Sequence, residues 1–186
     1  VIAMLKDLKP KEINSNDKIK YKFENATLQS VGIKCNIFKG NYFADTFNYF
    51  PITEDFYSFS SLYSRNTGHD NNFFFTKNFF TNFKKNIDSY KQINDVYLLG
   101  SNAGNNYYSN LIYFLPRLFF NKKKKIKIAI HRNSSMKFRK LIEIISKNNN
   151  LDISFLYLDD SFYLFKDSLF PQFLSLNDSI KILRYF

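Results

Sequence analysis

The side chains best suited to chemistry gather in the back half of the chain: Asn106, Tyr107, Tyr108, Ser109, Arg117, His131 and Arg132. The two tyrosines offer flat rings on which a sugar can stack. The amide and hydroxyl offer hydrogen bonds. The arginines offer forked donors matched to phosphate or carboxylate, and His131 offers ring nitrogens that can donate or accept. Such a set suits recognition of a carbohydrate or a phosphorylated ligand. Blander roles compete with this. A histidine at a strand mouth can be idle, and an arginine inside an apolar helix can serve packing alone. Ser109 cannot abstract a proton at neutral pH without a partner base. Asp159 and Asp160 are adjacent, so on a strand they point to opposite faces and suit a solvated turn better than a metal pair. The stretch Gly100 to Gly104, GSNAG, lacks the spacing of a phosphate loop.

Positioning these residues requires an alternation of strands and helices. DVYLLG is a short buried strand, and YYSNLIYFLPRLFF has helical length with Pro116 inside it. KIKIAIH is a second strand, and ISFLYL a third. Leu98, Ile128 and Leu156 recur at intervals of 30 and 28 residues, close to one strand–helix–strand unit. Between the second and third strands, SSMKFRKLIEIISKNNN predicts an amphipathic helix. Ser134 or Ser135 caps it, Met136, Leu141, Ile144 and Ile145 lie on one side, and the asparagine run ends it. Residues 94–186 are therefore expected to form a Rossmann-like parallel sheet with flanking helices. SFYLF, a loop around Pro171, and a last helix from about Asn177, with Ile180 and Leu183 on one face, complete it. Residues 1–20 form a polar lead-in, and residues 21–93 a β-rich region of two or three short strands turning at Gly32 and Gly40. NTGHDNN, with His69, is a loop, and Phe73 to Phe83 suit a strand or an irregular segment equally. Ligands of such sheets bind at the carboxyl ends of the strands. Those ends are GSNAGNN, HRNSS and DDS.

The composition sets limits. With 23 Phe, 13 Tyr and only 5 Gly among 186 residues, the chain can bury a core. A net charge of +11 draws it toward polyanions or an anionic membrane surface, although lysine is also a common polar residue in AT-rich coding sequence. One cysteine, Cys35, excludes an intrachain disulfide and a cysteine-based metal cluster, and two histidines exclude a histidine-rich one. Cys35 reads as a small buried apolar group. No signal peptide or spanning segment is visible, which predicts a cytoplasmic location, with peripheral membrane contact open.

Asn106, Tyr107, Tyr108, Leu111, Leu115, Pro116, Arg117 and Leu118 resemble the signature of glycosyltransferase family 61. The flanking ENATLQSVG, DVYLLG and KFRKLIEIIS are similar to the family's surrounding elements, so the resemblance covers roughly residues 22–186. Three positions depart from the pattern: Ser109 stands where the family has histidine, Asn110 where it has tryptophan, and Tyr113 where it has an acidic residue.

The resemblance implies one half of a GT-B fold, the acceptor side of an inverting transferase acting in surface-polysaccharide or glycan synthesis. It implies a nucleotide-sugar donor held by a second, C-terminal domain, a carbohydrate acceptor, no metal and no nucleic-acid partner. With that second domain missing, the chain by itself is expected to show little or no transfer. The alternatives are a basic, aromatic-rich binding module for polyanions and a degenerate transferase acting as a scaffold.

Overall fold

A computed structural model describes residues 11–12, 22–45, 57–58, 89–100 and 106–185. The polar lead-in apart from residues 11–12, the NTGHDNN loop with His69, Phe73 to Phe83 and the loop 101–105 lie outside the described residues. The described chain is mixed α/β, with a sheet of mostly parallel strands and a few helices. Nine strands occur among the described residues: β1 (Lys11–Glu12), β2 (Lys22–Leu28), β3 (Ile33–Asp45), β4 (Tyr57–Ser58), β5 (Lys91–Asn94), β6 (Tyr97–Leu98), β7 (Lys125–His131), β8 (Asp152–Leu158) and β9 (Phe162–Pro171). The helices are α1 (residues 107–118), α2 (Met136–Asn148) and α3 (Leu176–Tyr185). β1 and β4 make a small parallel pair. The other seven strands share one sheet in the order β2-β3-β9-β6-β7-β8, with β5 also on β9.

The expected parallel core is present. Tyr97 pairs with Ile128 and Leu98 with Ala129 in parallel, and β7 pairs with β8 in parallel from Lys125–Asp152 to His131–Leu158. β7 explains its own place. Its entry, Lys125-Ile126-Lys127, alternates exposed and buried, and its later residues are all buried, the pattern of a strand covered on both faces.

The N-terminal strands do not stand apart from this core. β2 and β3 form an antiparallel hairpin whose turn places Gly32 at φ +68°, a conformation glycine adopts without strain. β3 then pairs antiparallel with β9, joining the hairpin to the same sheet. Two expectations need correction here. Gly40 lies inside β3, not at a turn, and Pro171 is the last residue of β9, paired with Ile37, not a loop residue. A strand's terminal position tolerates proline because the ladder stops there.

The sheet has to curl strongly. By register, Leu169, Tyr97, Ile128 and Phe155 sit at one level, so Leu158 lies beyond that level and Phe162 well before it. In a flat sheet the two would be roughly 30 Å apart along the strands, with about 14 Å of lateral offset. Residues 159–161 span at most about 14 Å. The curl is built from aligned irregularities in three neighbouring strands. β3 shifts register between Gly40 and Tyr42, Asp167 interrupts β9 at φ +48°, and Asp95 separates β5 from β6 at φ +50°. Side chains replace ladder bonds there: Asn41 Oδ1 accepts from the Asp167 N–H (3.1 Å), and Ser168 Oγ accepts from the Val96 N–H (3.2 Å). The curl brings the start of β9 to the carboxyl end of β8.

α2 is capped by Ser135, whose Oγ accepts from the Phe138 N–H at 3.2 Å, and it ends at Asn149 and Asn150 (φ +54°). Its buried face differs from the sequence expectation. Phe138 and Ile142 are fully buried, Leu141 and Ile145 are half-buried, and Met136 and Ile144 are exposed. Once the helix is rotated this way, Phe138 in its first turn takes the core position that Met136 was expected to fill. In α3, Ile180 and Leu183 are half-buried, and Ile182 is buried.

Candidate functional site

The carboxyl edge of β6, β7 and β8 is the candidate site, and α1 shows how the chain builds it. Asn106 caps this helix, its Oδ1 accepting from the Ser109 N–H at 3.1 Å. The next residues, Asn110–Phe114, form a wide turn in which the Leu115 N–H reaches back five residues to the Asn110 carbonyl. Pro116 accounts for the widening, because it has no N–H and its ring would clash with the carbonyl four residues earlier. A tighter run, Leu115–Leu118, closes the helix with every residue buried.

Arg117 then enters the interior, fully buried. Its guanidinium donates to the carbonyls of Leu99 (3.0 Å), Leu98 (3.2 Å) and Pro171 (2.6 and 3.0 Å). Its flat faces lie against Phe173 at 4.1 Å and Phe170 at 5.1 Å. The Tyr97 hydroxyl donates to the Arg117 carbonyl at 2.6 Å, and burial holds the Tyr97 phenol well above its usual range. Arg117 therefore joins the ends of β6 and β9 from beneath. Buried this way, it offers no surface to an acceptor, so its expected binding role becomes a supporting one. Gly100, which follows β6, passes so close to β7 that a Cβ there would meet Ile130 Cγ2 at 3.2 Å.

His131 ends β7 and is fully buried as well. Its Nδ1 accepts from the Asn133 N–H at 3.1 Å, which leaves the proton on Nε2, 3.0 Å from Asp160 Oδ1. Both ring nitrogens are thus engaged. The imidazole ties the β7–α2 turn to the β8–β9 connection, and His131, like Arg117, is placed to support the edge. The adjacent Asp159, in the same turn between β8 and β9, points elsewhere. Its carboxylate accepts from Lys91 Nζ (2.6 Å), the Tyr163 hydroxyl (2.5 Å) and the Ser161 N–H (3.1 Å).

Lys91 first, then the Ser161 and Tyr163 hydrogen bonds, hold the Asp159 carboxyl well below the usual carboxylate range. Burial, followed by the bond to Asp159, pushes the Tyr163 phenol up to about 12. A depressed carboxylate stabilises the fold above its unfolded-state pKa of about 4, and that stabilisation is lost as pH falls toward the lower folded value. A raised phenol stabilises below about 10 and stops doing so as pH climbs toward 12. Asp159→Asn is therefore expected to flatten the decline of stability below about pH 4, read by urea midpoints across pH. An acid limb identical to that of the parent would refute this contribution of the Asp159 carboxylate.

Among the described residues of this edge, the expected contact residues left exposed are Asn106, Tyr107 (46%), Tyr108 (58%) and Arg132, with Ser109 half-exposed. Of the expected acceptor-binding set, these remain able to touch a ligand. Sequence reasoning missed Asp160 as the partner of His131 and Lys91 as the partner of Asp159, because the first pair depends on β7 and β8 lying side by side and the second on the start of β9 reaching the end of β8. Cys35 is buried, and its thiol is pushed up to about 11, first by that burial. Among the described residues no group of three His, Cys, Asp or Glu is placed to hold a metal, and no helix is long and apolar enough to cross a membrane. Comparison with known protein families, curated proteins and solved structures finds no match in any of the three.

Proposed function

We propose that the chain is the acceptor-side part of an inverting glycosyltransferase resembling family 61, which presents a carbohydrate hydroxyl to a nucleotide-sugar. One observation carries the reading. Tyr107 and Tyr108 are exposed at the start of the helix that follows β6, beside the carboxyl edge where α/β sheets bind ligands. Two adjacent exposed rings at that edge suit the apolar face of a sugar, and Arg132 and Ser109 supply hydrogen bonds to its hydroxyls or to an acidic substituent. Arg117 and the His131–Asp160 pair hold this edge in place from beneath. In this reading a base removes the acceptor proton while positive groups stabilise the departing diphosphate.

Saturation-transfer NMR of the chain with a panel of surface oligosaccharides tests the proposal. Transfer to at least one oligosaccharide, reduced by more than about tenfold in Tyr107→Ala/Tyr108→Ala, is the expected result; that factor corresponds to about 1.4 kcal/mol of lost contact. Sugar contact unchanged in the double variant, or none across the panel, would remove it.

A further inference from the structure

The turn between β7 and α2 concentrates positive charge where a helix already contributes its own. Arg132, Lys137 and Lys140 are exposed and Arg139 is half-buried, and the first turn of α2 contains no acidic residue. The helix dipole adds to this field at its amino end. The Phe138 N–H is taken by Ser135 Oγ. The N–H groups of Lys137 and Met136, one position earlier and two, lie where no intrahelical acceptor exists.

Two further features point to a ligand. Ser134 stands in the turn itself, one residue before the cap. It is 4% exposed, and its hydroxyl has no hydrogen-bond partner among the described residues. Arg139 is held in place over the turn: one guanidinium nitrogen donates to the Arg132 carbonyl, and the guanidinium lies 4.5 Å from the centre of the Tyr157 ring. Its Nε is buried and likewise has no partner. A preset arginine, two open amides and a hydroxyl lacking an acceptor together match an oxyanion with several acceptor oxygens. Asp160 is the nearby opposing charge, and it is held by His131 Nε2, on the ring nitrogen opposite the one facing the turn.

We propose that this turn binds a phosphate group, held by the Met136 and Lys137 amides, the Ser134 hydroxyl, Arg132 and Arg139. The site shares Arg132 with the sugar-transfer reading, but the Ser134 hydroxyl, the two amides and Arg139 are its own, so it can stand if that reading falls. The phosphate can arrive free, as part of a nucleoside diphosphate, or on a sugar.

The test is a 15N–1H NMR titration of the whole chain with inorganic phosphate, a nucleoside diphosphate and a sugar 1-phosphate, with chloride at matched ionic strength as the control. Saturable shifts at the amides of residues 134–137 are expected with at least one of the three, and the tightest of them identifies the source. Arg132→Glu and Ser134→Ala are each expected to weaken that binding, the former by about tenfold or more, the effect of losing one charge-assisted pair. The proposal is overturned by the absence of saturable shifts, by equal shifts at the lysine run 122–125, or by unchanged affinity in both variants. Ser134→Ala removes a single atom, so it keeps the test open if Arg132→Glu does not fold.

Discussion

Arg117→Ala is expected to lower stability by about 4 kcal/mol, from the cavity and from three carbonyls left without donors in the interior. For a chain of this length that corresponds to a fall in Tm of roughly 8–16 °C. The carbonyls of Leu98, Leu99 and Pro171 all face this one guanidinium. Arg117→Met separates the two contributions. Methionine fills most of the volume but donates nothing, so it is expected to recover less than half of the loss. Arg117→Lys retains the charge but offers it as a point, not as a fork, and should fall between the two. Urea denaturation of the three variants gives the measurement. Recovery by methionine to within about 1 kcal/mol of the parent would show that packing on Phe170 and Phe173, not the hydrogen bonds, accounts for the effect.

Phe138→Ala is expected to cost about 3–5 kcal/mol, whereas Met136→Ala should stay within about 0.5 kcal/mol of the parent. The two residues are two positions apart on α2, yet one is fully buried and the other 66% exposed. Phe138 seats the amino end of α2 against the sheet, and with it the turn that includes His131, Asn133 and Ser134. Its loss is therefore expected to loosen that turn as well, seen as faster amide hydrogen exchange at Asn133, whose N–H is bonded to His131. Equal costs for the two substitutions would mean that the helix is rotated from the orientation described.

The contrast between Phe138 and Met136 also shows where reading the sequence reaches its limit. Periodicity located α2 and narrowed its cap to Ser134 or Ser135, because the cap and the asparagine run act on neighbouring backbone. It did not orient the helix. The apolar positions of MKFRKLIEIIS span more than one face, and which face is buried depends on the surface that receives it. The strands of the parallel core were legible for a similar local reason: KIKIAIH and ISFLYL carry strand-forming residues at regular intervals. The role of Arg117 was not legible. The sequence shows an arginine after a proline in an apolar run, which fits a ligand contact as well as an interior tie. Only the positions of Leu98, Leu99 and Pro171 decide between them, and Pro171 is 54 residues away.

The amino-acid sequence by itself determined β6, β7 and β8, the helices α1 and α2 between them, their parallel alternation and the edge where polar turns collect. Each of these follows from interactions within a few residues along the chain. Tertiary structure decided three things: that the N-terminal hairpin joins the same sheet, that the sheet curls at Gly40, Asp95 and Asp167, and that Arg117 and His131 face inward. Those outcomes depend on which distant backbone groups need a donor or a covering surface once the sheet has closed on itself, and no local pattern records that need.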